Sequence, residues 1–258
     1  MNNKITTTAN FSKYAACYDD YSDVQKTVGE ELISTLKGQH FKRILDIGCG
    51  TGTYTLLLRQ TFPNASITAV DICEEMIHKA MSKLNDCKIK FVTADAETMS
   101  LNESCDLITS NACFQWLENF QSDMANYNNL LAEDGTILFS MFGPSTFHQL
   151  SKSLAQFYRQ DIHIASQSFI DRDTLTAVLA NSFNCVSITE QTFDKRYDSL
   201  LHLLKTIKYT GTKGAGLNGR VLTRNALAEI EKIYIQRFGD IIATYQVFYC
   251  RAKRKDKQ

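Results

Sequence analysis

Three alternating glycines join a short apolar segment to a predicted helix. Residues 45–52 read LDIGCGTG, which places Gly48, Gly50 and Gly52 at the end of a predicted strand at 43–48. Glycine lets a backbone turn tightly and lets a ligand approach without obstruction by a Cβ atom. Open α/β sheets bind their ligands at the carboxyl ends of the strands. The pattern therefore predicts a ligand site on this turn.

Apolar strand segments alternate with helical segments in the first half of the chain, which is typical of a parallel, doubly wound sheet. The strands are predicted at 43–48, 66–71, 88–93, 105–110 and 136–142. Helices are predicted at 53–62 and at 120–131, and another follows the second strand and ends at about residue 84. An earlier helix at 23–37 carries its apolar residues on one face: Val24, Val28, Leu32 and Leu36. After Pro144 we predict helices at 145–159, 171–181, 197–209 and 223–237 and strands at 184–193 and 243–249.

Two acidic residues follow neighbouring strands of this predicted sheet. Asp71 ends the second strand, where a carboxylate can accept hydrogen bonds from both ribose hydroxyls. Asp95, after the third strand, is placed to contact an adenine edge together with the Ala96 backbone. The alternative is that the glycines form ordinary turns and the carboxylates cap helices. A dinucleotide fingerprint would need glycine where Thr53 stands, so the pattern favours a nucleoside without a pyrophosphate.

Composition limits the class of protein. The chain has 258 residues, 44% of them hydrophobic, which is enough for one sizeable core. Residues 1–10 are polar, and no segment approaches the roughly 18 apolar residues of a membrane span. The eight cysteines form no Cys-x-x-Cys pair and no metal-ligand spacing with histidine. We therefore expect a cytoplasmic protein with reduced thiols, no bound metal and no membrane partner.

The zero net charge conceals an asymmetry. Residues 1–192 contain 14 Lys and Arg against 22 Asp and Glu, whereas residues 193–258 contain 14 against 6. Such a separation can steer an acidic partner to one surface. The alternative is a solvated basic end at 251–257, which accounts for only five of those 14 basic residues.

The segments LDIGCGTG, VDIC at 70–73 with Met76 downstream, and ADAE at 94–97 together resemble the class I S-adenosylmethionine methyltransferases over about residues 40–143. In that family the glycine turn and Asp46 serve the methionine end of the cofactor, Asp71 the ribose, and Asp95 with Ala96 the adenine. The resemblance implies cofactor-binding roles for Asp46, Gly48, Gly50, Gly52, Asp71, Ile72, Met76, Asp95, Ala96, Asn111 and Gln25. It implies S-adenosylmethionine as cofactor and S-adenosylhomocysteine as product.

The family resemblance also implies a fold. We expect an α/β, Rossmann-like class I methyltransferase sheet of seven strands with the last one antiparallel. Residues 1–258 would form a single domain, with a core at about 40–143 plus 184–193 and 243–250. A helical lid would come from the N-terminus and from insertions, at about 1–38, 144–168 and 195–238.

Four further segments resemble one subgroup, the biotin-pathway malonyl-acyl-carrier-protein O-methyltransferases. They are 11–19 with Gln25, 110–117 (SNACFQWL), 138–143 (LFSMFG), and 203–211 with 222–224 and 243–245. The implied reaction esterifies the free carboxylate of a malonyl thioester early in biotin biosynthesis. A carboxylate with a pKa near 4 is ionised at neutral pH, so this reaction needs no general base. The implied partner is an acidic acyl carrier protein carrying malonyl-phosphopantetheine, or malonyl-CoA, docked on the basic C-terminal segment.

Four residues are predicted to meet the substrate, and each has a structural alternative. Tyr18 could close over the sulfonium with its ring face and is the one possible catalytic residue, Phe114 and Trp116 could form pocket walls, and Lys208 could pair with the carboxylate. The tyrosine and the two pocket-wall aromatics could equally be packing residues, and the lysine could be a solvated side chain on a helix. We assign no role to the loop at 211–219.

Other functions remain open at the level of sequence. The chain could methylate another small acid, such as trans-aconitate, or another small molecule. A nicotinamide-dependent oxidoreductase is disfavoured by Thr53, and a nucleoside-binding protein without turnover is a further alternative. Nucleic-acid methylation is disfavoured because no Asn/Asp-Pro-Pro-Tyr motif follows the fourth strand and the overall charge is neutral. We expect a monomer.

Overall fold

The computed structural model describes residues 3–85, 88–100, 103–211 and 222–255. Its strands are β1 (Arg43–Ile47), β2 (Ser66–Asp71), β3 (Ile89–Thr93), β4 (Cys105–Asn111), β5 (Leu131–Phe142), β6 (Phe183–Arg196) and β7 (Ile242–Arg254). Within the described ranges they form one seven-stranded sheet in the order β3-β2-β1-β4-β5-β7-β6. The first five strands pair in parallel, and β7 runs antiparallel to both of its neighbours. The predicted sheet is confirmed, including its antiparallel last strand.

Helices connect the strands and cover the sheet. They are α1 (Asn3–Tyr14), α2 (Asp23–Ser34), α3 (Thr53–Thr61), α4 (Glu74–Lys83), α5 (Phe120–Leu130), α6 (His148–Tyr158), α7 (Arg172–Ser182), α8 (Leu200–Tyr209) and α9 (Arg224–Phe238). Each helix predicted from the sequence is present, and the apolar face predicted for α2 is buried. Helix α1 falls in the segment at about 1–38 that was expected to be a helical lid, but no sequence pattern predicted its bounds.

The two faces of the sheet bury different helices. Successive side chains of a strand point to opposite faces. Phe139 and Met141 of β5 accordingly pack with α5 and α7, whereas Leu138, just before them, packs with α2 and α3. Phe114 belongs to the first of these clusters, stacked on Tyr127 with ring centroids 5.6 Å apart. This two-sided burial holds the carboxyl ends of β1, β2 and β4 in a fixed register.

A separate apolar cluster joins the segments that follow β5. It contains Leu150 of α6, Leu203 of α8, and Ile230 and Tyr234 of α9. Residues of α2 and β7 also contribute to it, so these helices are packed against the sheet rather than detached from it. The division of residues 1–258 into a core and a lid stays a prediction.

The described ranges contain neither a disulfide nor a group of side chains with the makeup of a metal site. Their cysteines are free thiols, of which Cys49, Cys73, Cys105 and Cys250 are buried and Cys185 is exposed. No three His, Cys, Asp or Glu side chains in these ranges come together as a set that could hold a metal ion. Within the same ranges, no helix combines the length and the apolar character needed to cross a bilayer.

Candidate active site

The glycine turn after β1 has a left-handed backbone at all three glycines. Their φ angles are +69° at Gly48, +54° at Gly50 and +81° at Gly52. A Cβ atom at Gly48 would lie 2.2 Å from Cys113 Sγ, so no larger residue fits there without displacing its neighbour. At Gly50 a Cβ atom would meet nothing within 4 Å, because this residue faces an open cavity.

Asp71 at the end of β2 fixes this turn. Its Oδ2 accepts a hydrogen bond of 2.9 Å from the Gly50 N–H, and its Oδ1 accepts one of 2.9 Å from the Cys73 N–H. Burial raises the pKa of the Asp71 carboxyl group, although these backbone donors work in the opposite direction. A carboxylate offers about four acceptor positions, so both oxygens retain capacity for a ligand. The carboxylate is therefore held by the backbone and still available to the cavity.

A cavity with an empty volume of about 820 Å³, part of it open to solvent, lies above this edge of the sheet. We call it the main cavity. Ten of the residues predicted for the site line it: Tyr18, Gly48, Gly50, Asp71, Ile72, Met76, Asp95, Ala96, Asn111 and Trp116. The structure thus brings together side chains from β2, from β4 and from the segment after β3. Two short 3-10 helices, Ala15–Asp20 and Phe114–Trp116, contribute Tyr18 and Trp116.

A second cavity of about 450 Å³ adjoins the first on the other side of the glycine turn. It shares Tyr18, Gly48, Gly50 and Asn111 with the main cavity, and Gln25 of α2 lines it. Asn111 links the two sides, because its Nδ2 donates to the Gln25 carbonyl at 2.8 Å and its Oδ1 accepts from Ser140 Oγ at 2.7 Å. Both predicted residues are therefore at the site.

Four of the predicted residues line neither cavity. Asp46 is 1% exposed and accepts a 2.6 Å hydrogen bond from Thr55, and burial raises its pKa to about 7. Gly52 faces α4, where its Cβ position is 3.0 Å from Ala80 Cβ. These two residues shape the turn from behind, and their roles toward a ligand stay predictions.

Phe114 and Lys208 are the other two predicted residues that line neither cavity. Phe114 is fully buried among the core aromatics, so it is not a pocket wall, whereas Trp116 in the same turn lines the main cavity. Lys208 Nζ lies 5.4 Å from the ring centroid of Tyr14 and 5.5 Å from that of Tyr209. The ammonium group thus lies over these rings and lines neither cavity, and its role toward a substrate carboxylate stays a prediction.

The thiol and phenol groups at the site are neutral. Burial, with the nearby Asp71 and Asp46 carboxylates, raises the pKa of Cys113 to about 12. Burial likewise raises the pKa of Tyr18. A protonated thiol is a poor nucleophile, so Cys113 does not compete as a methyl acceptor. Tyr18 offers a ring face and a hydroxyl donor but no base.

One face of α1 closes the main cavity, and the sequence did not predict it. Lys4, Thr7, Thr8 and Phe11 line the cavity at helical spacing. Phe11 packs with its ring centroid 6.2 Å from those of Tyr18 and Trp116. The helical spacing of these four residues could have predicted that they share one face. Three of them are polar, however, so the sequence shows no hydrophobic pattern there.

Known proteins with this arrangement are numerous. The malonyl-acyl-carrier-protein O-methyltransferase 1 of Ilyobacter polytropus is 34% identical over 233 residues, covering 90% of this chain and 86% of that protein. The enzyme of that name from Bacillus cereus is 32% identical over 270 residues and covers both chains fully. This chain belongs to the malonyl-acyl-carrier-protein O-methyltransferase family. A family model described as a methyltransferase domain also matches residues 44–135.

Solved structures show the same fold around this O-methyltransferase site. The N-methyltransferase NodS of Bradyrhizobium japonicum, in complex with S-adenosylhomocysteine, superposes with a TM-score of 0.55 at 14% identity, covering 99% of this chain and all of the other. The plantazolicin methyltransferase BpumL, also with S-adenosylhomocysteine, gives 0.57 at 18% identity and covers 98% and 95%. These likenesses show that the chain has the class I methyltransferase fold.

The contact between Gly48 and Cys113 gives a stability prediction. Gly48→Ala places a methyl group against Cys113 in addition to the left-handed backbone cost, so we expect a loss of about 2–4 kcal/mol in the free energy of unfolding. Gly38→Ala is the matched control, because Gly38 has φ +78° and open space around its Cβ position. It carries the backbone cost alone, about 1–2 kcal/mol. Equal losses in urea unfolding would contradict the contact.

Proposed function

We propose that this chain transfers a methyl group from S-adenosylmethionine to the free carboxylate of a malonyl thioester carried by an acyl carrier protein. The observation that supports it most is the Asp71 carboxylate, held beneath an open cavity by the glycine turn in a chain of this family. The sequence resemblance places this reaction early in biotin biosynthesis.

The residues at the cavity fit the cofactor. Asp71 would accept from the ribose hydroxyls, and Asp95 with the Ala96 N–H would contact the adenine. Ile72, Met76 and the backbone at Gly48 and Gly50 would pack against the nucleoside. The second cavity, with Gln25 and Asn111, would hold the amino-acid end. When bound, S-adenosylmethionine supplies a methyl group on a positively charged sulfur.

The substrate end of the cavity needs no proton acceptor. A malonyl carboxylate is ionised at neutral pH, so this chain has only to bind it, orient it and exclude water. Tyr18 and Trp116 would form the walls of this region, with the Tyr18 ring face favouring a positive charge. Desolvation by these apolar walls strengthens the electrostatic interactions inside the cavity.

Helices on the ligand edge would form the lid that the sequence predicted. We propose that α1, α2, α6, α8 and α9 act as this lid over the core. The packing of Phe11 against Trp116 closes one side of the cavity, and the cluster built on Leu203 and Tyr234 supports the other.

An acidic carrier would dock beside the cavity on the basic segment. Lys205 and Arg224 are exposed, and among the described residues neither takes part in an ion pair. Lys195 is paired with Asp23 and Arg196 with Asp240, both at 2.8 Å. Of the other basic residues between 195 and 224, Lys208 lies over two tyrosine rings, and Lys213 and Arg220 lie outside the described residues. Lys205 and Arg224 are therefore the cations most available to a partner.

A substrate comparison tests the proposed reaction. We expect the chain to methylate malonyl-acyl-carrier protein, with malonyl-CoA as a weaker substrate, and to leave free malonate and trans-aconitate unmodified at equal concentrations. Methyl transfer is measured with radiolabelled cofactor, and release of the label as volatile methanol in base identifies a methyl ester. Faster methylation of trans-aconitate than of malonyl-carrier would refute the proposed substrate class.

The role of Asp71 is tested by cofactor binding. Asp71→Asn retains one acceptor oxygen but presents an N–H₂ group to the backbone or to the ribose. We expect the Kd for S-adenosylhomocysteine to rise roughly tenfold or more, since a hydrogen bond to a charged group contributes about 1.5–3 kcal/mol. Calorimetry gives the Kd, and thermal unfolding checks the fold. Asp173→Asn, an exposed change in α7, is the control, and an unchanged Kd in Asp71→Asn would remove this residue from the site.

Charge reversal tests the docking surface. In the double variant Lys205→Glu, Arg224→Glu we expect kcat/KM for malonyl-carrier to fall roughly tenfold at low salt and its salt dependence to shrink. A small malonyl-pantetheine substrate should be unaffected. Lys90→Glu, on the edge strand β3, is the matched control. Equal losses for both substrates, or no loss for the carrier, would show that the carrier docks elsewhere.

A further inference from the structure

Two carboxylates hold Lys4 at the rim of the main cavity. Its Nζ lies 2.7 Å from Oδ1 and 2.6 Å from Oδ2 of Asp95, and 2.6 Å from Oε2 of Glu97. The Lys4 side chain is 20% exposed, that of Asp95 is 29% exposed and that of Glu97 is 7% exposed. Such a partly buried, three-way contact is shorter and stronger than a surface ion pair.

The contact joins three parts of the chain that are distant in sequence. Lys4 belongs to α1, and Asp95 and Glu97 follow β3. Glu97 Oε1 also accepts from the N–H groups of Glu118 and Asn119, immediately before α5. The ammonium group therefore ties the first helix to both segments that form this end of the cavity.

The two carboxylate oxygens of Asp95 differ in their remaining capacity to accept hydrogen bonds. Oδ1 accepts from Lys4 and from the Glu97 N–H, at 3.0 Å, whereas Oδ2 accepts from Lys4 alone among the described residues. A carboxylate oxygen has two lone pairs, so Oδ2 keeps one acceptor position. Because Asp95 lines the main cavity, that position is available to a ligand there.

Lys4 is the only cation among the described residues that line the main cavity, and acidic groups surround it. Behind it lies Asp123, 2% exposed, and burial together with Glu97 raises the pKa of Asp123 to about 7. Burial would lower the pKa of Lys4, but its hydrogen bonds to Asp95 and Glu97 outweigh burial and raise it. The ammonium group thus stays charged and donates hydrogen bonds to both carboxylate groups.

We propose that Lys4 is a positioning residue that presents Asp95 to the cavity as a pure hydrogen-bond acceptor, and so selects a purine that carries a 6-amino group. The inference rests on the proposed function, in which Asp95 contacts the adenine. An ionised carboxylate accepts hydrogen bonds and donates none. It therefore bonds a 6-amino donor and is repelled by the 6-oxo group of a hypoxanthine.

Paired ligands separate this role from simple closure by α1. S-adenosylhomocysteine and S-inosylhomocysteine differ only in the purine, so both need a closed cavity but only the first offers the amino donor. We expect the wild-type chain to prefer the adenosyl compound. In Lys4→Met the Kd for S-adenosylhomocysteine rises roughly tenfold while that for S-inosylhomocysteine changes less than about twofold, so the preference collapses. Calorimetry on the full chain measures both constants.

Two further variants make the result specific. Lys4→Arg keeps the charge and both carboxylate contacts, and we expect it to retain most of the preference for the adenosyl compound. Lys13→Met removes an exposed lysine from the same helix, and we expect it to leave both Kd values as in the wild-type chain. Thermal unfolding of each variant checks that α1 remains folded on the sheet.

Each other outcome overturns the inference in a different way. Equal weakening of both ligands in Lys4→Met assigns Lys4 to closure alone. Tighter binding of S-adenosylhomocysteine in that variant makes Lys4 a competitor for the adenine position, and an unchanged Kd leaves Lys4 without a role in binding. If the wild-type chain binds neither compound, the proposed function itself is wrong and this inference goes with it.

Discussion

Two backbone N–H groups that converge on one carboxylate hold the ligand edge of this sheet together. The donors are Gly50, in the turn after β1, and Cys73, just before α4, and the acceptor is Asp71 at the end of β2. The carboxylate thereby joins the ends of two neighbouring parallel strands. Because it sits there on backbone geometry rather than on flexible side chains, the surface it presents is fixed before any ligand arrives.

Most of the fold could be predicted because its signals are local. Buried parallel strands appear as short apolar runs bounded by glycine or acidic residues, and the helices between them have regular spacing. Helix α1 could not be predicted in this way. Its cavity face is largely polar, and it is held by a partner 91 residues away, Asp95, which no local pattern reveals.

The site residues also differ in how far local sequence determines their positions. Positions fixed by the backbone, such as Gly48 and Asp71, lie at the cavity, and their roles toward a ligand stay predictions. Positions that depend on side-chain direction are harder to predict, since Phe114 and Trp116 share one 3-10 turn yet the first enters the core and the second faces the cavity. A motif gives neighbours in sequence but not the side to which each one points. The sequence likewise contains no sign that aromatic rings from α1 and α8 lie beside the Lys208 ammonium group.

The antiparallel pairing of β6 with β7 confines the chain between them to one end of these two strands. Arg196, at the end of β6, pairs with Ile242, at the start of β7, so the intervening stretch leaves and rejoins the sheet at a single joint. That stretch can lengthen, shorten or change its residues while the alignment of β1 against β2 stays the same. Changes in that stretch therefore need not disturb the turn that the Asp71 carboxylate holds.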